Sequence, residues 1–239
     1  MQFNLPLYPG ILEKRYKRFL ADVRIDNGEL VTAHCANPGS MLGLNIPGSR
    51  VWLTKSDNPK RKLPWSWELL EVDLGDGPVL VGINTSYPNR IVAEAIEAGS
   101  IPELDGYGNL RREVKYGVNS RIDILLEDAA RPLCYVEIKN VHLMRHSGLA
   151  EFPDSVTKRG TKHLVELGDM VEAGHRAVML FLIQRTDARN MTLARDIDPV
   201  YGETIDRAIS RGVEIMAYDT SVTLEEINLR RRIPFDPGP

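Results

Sequence analysis

Cysteine is scarce in this 239-residue sequence: Cys35 and Cys134 stand far apart, and no CxxC pair exists. That excludes a cysteine-based zinc knuckle and a thioredoxin-like redox pair. The two thiols read as small buried hydrophobes in a reducing compartment. Long apolar runs are missing too. The longest, Ala177 to Ile183, has seven residues, whereas a bilayer-spanning helix needs roughly 20. Pro6, Pro9 and Glu13 stand where a secretory leader would carry a basic stretch and an apolar core. The expected location is cytoplasmic, with no membrane partner. Nor is there an excess of positive charge: 30 Lys and Arg against 33 Asp and Glu give a net of −3, which rules out a uniformly basic, histone-like binder. No GxSxG elbow occurs, and Pro38-Gly39-Ser40-Met41-Leu42-Gly43 lacks the Lys-Ser/Thr ending of a P-loop. His142 and His146 are four apart, but beside Ser147-Gly148 in a loop-like stretch, which argues against a zinc pair on a helix.

What remains is ordinary globular composition, 43% hydrophobic and 26% charged, which excludes a wholly disordered chain. Residues 1–86 alternate short strand patterns with turn signals. Phe19–Asp26 and Leu30–Cys35 flank Asn27-Gly28, and Arg50–Lys55 follows a Pro- and Gly-rich loop. Trp65–Leu74 and Val79–Thr85 flank Gly75-Asp76-Gly77-Pro78. This spacing predicts a small β-barrel or sandwich. Residues 1–62 hold ten bases and five acids, so a local +5 against the overall −3 leaves −8 for the remainder. A basic end facing an anion fits that asymmetry.

Residues 87–239 read differently. Pro88–Ala98 has helical spacing and Gly99 to stop it. Strand candidates follow at Arg112–Gly117, Arg121–Leu126 and Leu133–Val141, then a helix from about Thr157 to Glu172 and an apolar strand at Ala177–Gln184. Asp198 and Pro199 open a last helix that Gly212 ends, before a strand at Val213–Tyr218. The order predicts an α/β domain with a mixed sheet.

Within it, Arg121-Ile122-Asp123-Ile124 and Val136-Glu137-Ile138-Lys139 place charges at alternate strand positions. Glu137 and Lys139 share one face, opposite Val136 and Ile138, and Asp123 faces away from Ile122 and Ile124. If the two strands pair in register, two carboxylates meet one ammonium. Two hard oxygen ligands suit Mg²⁺ or Mn²⁺ while leaving positions for water and a phosphate oxygen, and a lysine beside them orients the water or offsets growing charge. Glu94 in the preceding helix and Glu113 in the first strand are candidates for a third acid. The plain alternative is a solvated strand face with a cross-strand ion pair.

Four blocks carry a resemblance: Ala33-His34-Cys35-Ala36-Asn37-Pro38-Gly39-Ser40-Met41, Gly117-Val118-Asn119-Ser120-Arg121-Ile122-Asp123, Val136-Glu137-Ile138-Lys139-Asn140-Val141 and Phe152-Pro153-Asp154-Ser155-Val156-Thr157-Lys158-Arg159-Gly160. With these, in order over nearly the whole chain, the sequence resembles the sugar fermentation stimulation protein A (SfsA) family. The resemblance implies an N-terminal OB-like barrel and a C-terminal domain of PD-(D/E)XK nuclease type. It also implies DNA binding and a regulatory role in sugar (maltose) utilisation. The nuclease motif falls on Asp123, Glu137 and Lys139, with Glu94 or Glu113 as the extra acid. Ile122 stands where the motif's name expects proline.

A nucleic-acid surface needs cations for phosphates and, for single strands, aromatic platforms. Lys14, Arg15, Lys17 and Arg18 lie beside Tyr16 and Phe19, while Lys60, Arg61 and Lys62 lie near Trp65 and Trp67 on one strand face. The competing reading makes the tryptophans core and the cations solvated decoration. Lys158 and Lys162, and likewise Arg159 and His163, lie four apart at a helix N-terminus, where they face a phosphate or pair with Asp154, Glu166 or Asp169. Arg230-Arg231-Arg232 reads as a solvated tail. Three functions follow in order: a DNA binder of weak sequence preference, a Mg²⁺-dependent nuclease, and an interaction scaffold without nucleic acid.

Overall fold

A computed structural model describes residues 1–238. Six strands build the first half: β1 (Leu7–Tyr16), β2 (Leu20–Ile25), β3 (Leu30–Cys35), β4 (Arg50–Lys55), β5 (Trp65–Asp73) and β6 (Pro78–Gly82). They run in the order β3-β2-β1-β4-β5-β6, and parallel pairing of β3 with β5 closes them into a barrel. Its interior holds Leu12, Val23, Cys35, Leu53, Trp67 and Leu70. β1 runs through what the sequence presents as a basic cluster, and its register slips between Leu12 and Lys14. At Gly10 a Cβ would stand 2.7 Å from the Val23 side chain, so a side chain there would push the strands apart. Both cysteines are buried and free, as expected.

The second half keeps the predicted order and adds five strands that the sequence did not reveal. It runs α1 (Pro88–Glu97), β7 (Asn109–Tyr116), β8 (Ser120–Glu127), β9 (Cys134–Val141), β10 (Leu143–His146), β11 (Leu149–Phe152), α2 (Lys158–Glu172), β12 (Arg176–Ile183), β13 (Asn190–Leu193), α3 (Pro199–Ser210), β14 (Glu214–Val222), β15 (Ile227–Arg232) and β16 (Phe235–Asp236). Local chemistry sets the helix ends. Thr157 accepts the Gly160 N–H at 3.1 Å to cap α2, and Asp198 accepts the Tyr201 N–H at 3.0 Å to cap α3, with Pro199 in its first turn.

The main sheet is mixed, in the order β15-β14-β12-β9-β8-β7, and a small sheet of β10, β11, β13 and β16 lies apart from it. β12 is buried on both faces. Met179, Phe181 and Ile183 pack towards α2 and α3, whereas Val178, Leu180 and Leu182 pack towards α1. Each such side chain contributes about 1.5–3 kcal/mol by burial. Trp52 and Leu69 of the barrel join the α1-side cluster, so an apolar seam unites the two halves. The first residues cross over as well: the Met1 ammonium and the Phe3 backbone N–H donate to the Ile227 and Glu225 carbonyls. The architecture is α/β with an N-terminal barrel. Among the described residues no helix is long and apolar enough to cross a membrane.

Candidate metal and phosphate site

β8 and β9 run antiparallel with Ile124 opposite Val136. One residue further in that register sets Asp123 against Glu137. There the ladder is interrupted: Asp123 Oδ2 accepts the Ile138 N–H at 2.8 Å, so the side chain takes a donor of the neighbouring strand. Alternation breaks at the same point. Ile122 packs on the α2 side and Ile124 on the α1 side, which corrects the expectation that both lie opposite Asp123. Asp123 Oδ1 accepts from Asn89 Nδ2 at 2.8 Å. That amide also reaches Glu113 Oε1 at 3.2 Å, and so joins two acids from different strands. Glu113 holds a φ of 55°, an αL conformation that a non-glycine residue adopts only when its surroundings fix it.

Glu137 is 2% exposed. Its Oε1 accepts from Lys139 Nζ at 2.6 Å and from His163 Nδ1 on α2. Its Oε2 is buried without a hydrogen-bond partner. The Tyr116 hydroxyl is also buried and unpartnered, and its ionisation is pushed up by burial and then by the charges of Glu137, Glu166 and Asp123. The two facing carboxylates differ. Burial, then the charge of Glu137, pushes Asp123 up to about 6, against the opposing Ile138 N–H, Lys139 and Asn89. Burial would push Glu137 up as well, but the His163 bond and Lys139 outweigh it and hold this carboxyl below its ordinary value.

An oxygen-only donor set with one orphaned buried carboxylate oxygen fits a hard divalent cation. Among the described residues, no group of three or more His, Cys, Asp or Glu has metal-holding geometry. Asp123 and Glu137 are the two carboxylates that the β8–β9 register sets against each other. Glu94 is not brought to this group, because its carboxylate binds the Met1 ammonium at 2.9 Å and Arg90 at 2.7 Å. Glu113 lies beside it through Asn89. Asn89 was not legible in the sequence, and His163 was read there only with Arg159 at the anion-facing start of α2.

The cation clusters divide. Arg15 is spent on structure: its guanidinium donates to the carbonyls of Asn37 and Gly39 at 2.9 Å and of Ser40 at 3.1 Å. Lys14 pairs with Asp22 at 3.4 Å. Lys17, Arg18, Lys60 and Lys62 are exposed, while Arg61 donates to Ser66. Trp65 and Trp67 lie in the barrel core, Trp67 fully buried with its indole N–H on the Leu69 carbonyl. Neither offers a face to a base, so the platform expectation is corrected. Both faces of β5 are covered, one by the barrel and the other by the α/β half. Lys162 donates to the Val118 carbonyl at 2.6 Å and pairs with Glu166 at 3.5 Å. Lys158 and Arg159 are exposed at the start of α2, and Arg159 Nε donates to His163 Nε2 at 3.3 Å. Arg230 and Arg231 are no tail: they lie in β15 and clamp the fully buried Asp219.

Two family descriptions match the chain. "Sugar fermentation stimulation protein RE domain" covers residues 86–226, and "SfsA N-terminal OB domain" covers residues 14–83. A Sugar fermentation stimulation protein homolog of Azorhizobium caulinodans is 57% identical over 234 residues, covering 98% of this chain and 99% of that protein. A homolog of the same name from Rhodospirillum centenum is 56% identical over 233 residues, 98% of each. The solved structure of Pyrococcus furiosus SfsA in complex with Ca²⁺ is similar at a TM-score of 0.87 and 28% identity, covering 99% of this chain and 98% of that one. The barrel is thus an OB domain, and the mixed sheet carrying Asp123, Glu137 and Lys139 falls within the span matched as the RE domain. On these matches, the chain belongs to the sugar fermentation stimulation protein (SfsA) family.

Proposed function

We propose that this protein binds DNA through its phosphate backbone and hydrolyses a phosphodiester bond at the group formed by Asp123, Glu137 and Lys139, with Mg²⁺ or Mn²⁺. The observation that carries the reading is the Glu137 carboxylate: Oε1 is held by Lys139 and His163, Oε2 is buried without a partner, and Asp123 lies opposite. Asp123 and Glu137 would hold the cation. Such a cation lowers the pKa of a bound water and offsets charge on the phosphorane. Asn89 and the Ile138 N–H keep Asp123 aimed at the group. The Lys139 ammonium, 15% exposed at the rim, orients the attacking water and stabilises the developing anion. Ca²⁺ is a hard cation taking oxygen ligands, and its presence in the Pyrococcus furiosus relative supports a divalent site.

In this proposal residues 1–86 and the start of α2 supply the cations that track the backbone. Lys17, Arg18, Lys60, Lys62, Lys158 and Arg159 are exposed for that use. Phosphate contacts position without reading sequence, so sequence preference is weak and affinity falls steeply with salt. A cytoplasmic location and a part in sugar utilisation belong to the same proposal.

Binding without cleavage is the second reading. It is favoured by the 2.6 Å pairing of Lys139 with Glu137, which draws one of the ammonium's three donors onto the carboxylate. The test is incubation of the full chain with duplex DNA, single-stranded DNA and RNA, each with Mg²⁺ and Mn²⁺. Metal-dependent cutting that Lys139→Ala lowers by about 10²–10⁴-fold, with DNA affinity retained, supports the nuclease. DNA binding with no cleavage of any substrate leaves a binder, and no binding at low salt leaves a scaffold.

A further inference from the structure

Resting on the proposed divalent site, we infer that Arg159 and His163 form a positioning pair that presets the Glu137 carboxylate for the cation. The two residues lie one turn apart on α2, and His163 is 3% exposed. Its Nε2 faces Arg159 Nε at 3.3 Å. A guanidinium can only donate, so Nε2 is the accepting nitrogen and the ring proton sits on Nδ1. That proton points at Glu137 Oε1. Lys139 Nζ donates to the same oxygen at 2.6 Å. The 3.5 Å approach of Lys139 Nζ to His163 Nδ1 then brings two donors together and carries no bond of its own.

Two donors on one oxygen pin the rotation of the carboxylate. The other oxygen, Oε2, is left buried and without a partner. A ligand held in this way meets a cation without reorganising, which is how residues behind a metal ligand tune affinity. The sequence element that builds the relay is the i, i+4 spacing of Arg159 and His163 on α2, beside the apolar stripe of Leu164 and Leu167 that docks α2 on the sheet. Neither residue touches the cation in this scheme, and only the outer nitrogens of Arg159 are left for the DNA backbone. They act through Glu137.

Two measurements on the full chain test the inference. The first is calorimetric titration with Mn²⁺ alone of the native protein and of His163→Ala, His163→Asn and Arg159→Met. Asparagine places an amide N–H where Nδ1–H stands. We expect His163→Ala to weaken Mn²⁺ binding about tenfold or more, and His163→Asn to remain within about threefold of native. The second is the imidazole ¹⁵N spectrum, which should show His163 as the Nδ1–H tautomer in the native protein and a shift towards Nε2–H in Arg159→Met. This second readout needs no His163 variant to fold. An Nε2–H tautomer in the native protein overturns the inference, and so does native Mn²⁺ affinity in a folded His163→Ala. Native protein that binds no Mn²⁺ overturns the divalent-site reading and the positioning role with it. Equal Mn²⁺ binding in native and His163→Ala overturns the positioning role alone.

Discussion

Asp123 Oδ2 accepts the backbone N–H of Ile138 at 2.8 Å. An acid of one strand thereby grips the backbone of the next strand, between the two positions that carry Glu137 and Lys139. Such a bond replaces ladder pairing with a side-chain anchor, so the acids and the lysine are positioned by the sheet itself and not by surface rotamers. Placing a carboxylate there, buried and opposite Glu137, costs stability, and the cost depends on pH.

Asp123 is raised from 3.8 to about 6. The folded protein therefore binds this proton more tightly than the unfolded chain does. Its stabilising contribution is fully present below about pH 4 and is lost as pH rises through 6. In metal-free buffer, the stability of the native protein relative to Asp123→Asn should fall by ~1–2 kcal/mol between about pH 4 and about pH 8. Urea midpoints at both pH values check this. A difference between the two proteins that does not change with pH would contradict it.

Cation binding should run opposite to that cost. A carboxylate must be deprotonated to act as a ligand. Mn²⁺ at about 100 times its Kd should stabilise the native protein by about 2.7 kcal/mol, with a larger Tm shift at about pH 8 than near pH 5. Glu137→Gln and Asp123→Asn should show no Mn²⁺-induced shift in scanning calorimetry.

The cations of the first half separate into structural and binding roles. Arg15→Ala leaves the carbonyls of Asn37, Gly39 and Ser40 without their donor, and should lower stability by about 1–3 kcal/mol. Lys17→Gln and Arg18→Gln should leave stability within about 0.5 kcal/mol. Each should reduce the slope of log affinity for duplex DNA against log salt by about 0.9. Chemical denaturation and salt-dependent fluorescence anisotropy distinguish the two classes.

All three tryptophans, Trp52, Trp65 and Trp67, are buried. Titration with single-stranded DNA should therefore leave tryptophan emission unquenched, because no indole face is offered to a base. Trp67→Ala should cost about 3–5 kcal/mol by emptying the barrel core. Strong quenching on DNA binding would place a base against one of these rings.

The sequence was legible where the physics is local. Thr157, Asp198 and Pro199 mark helix starts because capping acts within three residues. The alternation of Glu137, Ile138 and Lys139 gave the candidate site because strand period is a property of the backbone. Other features depended on contacts distant in the chain. β1 was hidden by Pro9, Gly10 and a register slip. β15 was hidden because its arginines look solvated until Asp219 is seen beneath them. Trp65 and Trp67 misled because the strand face they share was expected to meet solvent, whereas it points into the barrel core. Asn89 carried no signal beyond its place in the first turn of α1. His163 carried a weak one, a polar residue next to the buried stripe of α2, but Glu137 is its partner only through tertiary packing.

The most direct test of the divalent site is anomalous scattering from crystals of the full chain soaked in Mn²⁺ near neutral pH. The account expects a peak at about 2–2.6 Å from an Asp123 carboxylate oxygen and from Glu137 Oε2, beside the Lys139 ammonium. Fully soaked crystals with no peak between those two carboxylates would contradict it.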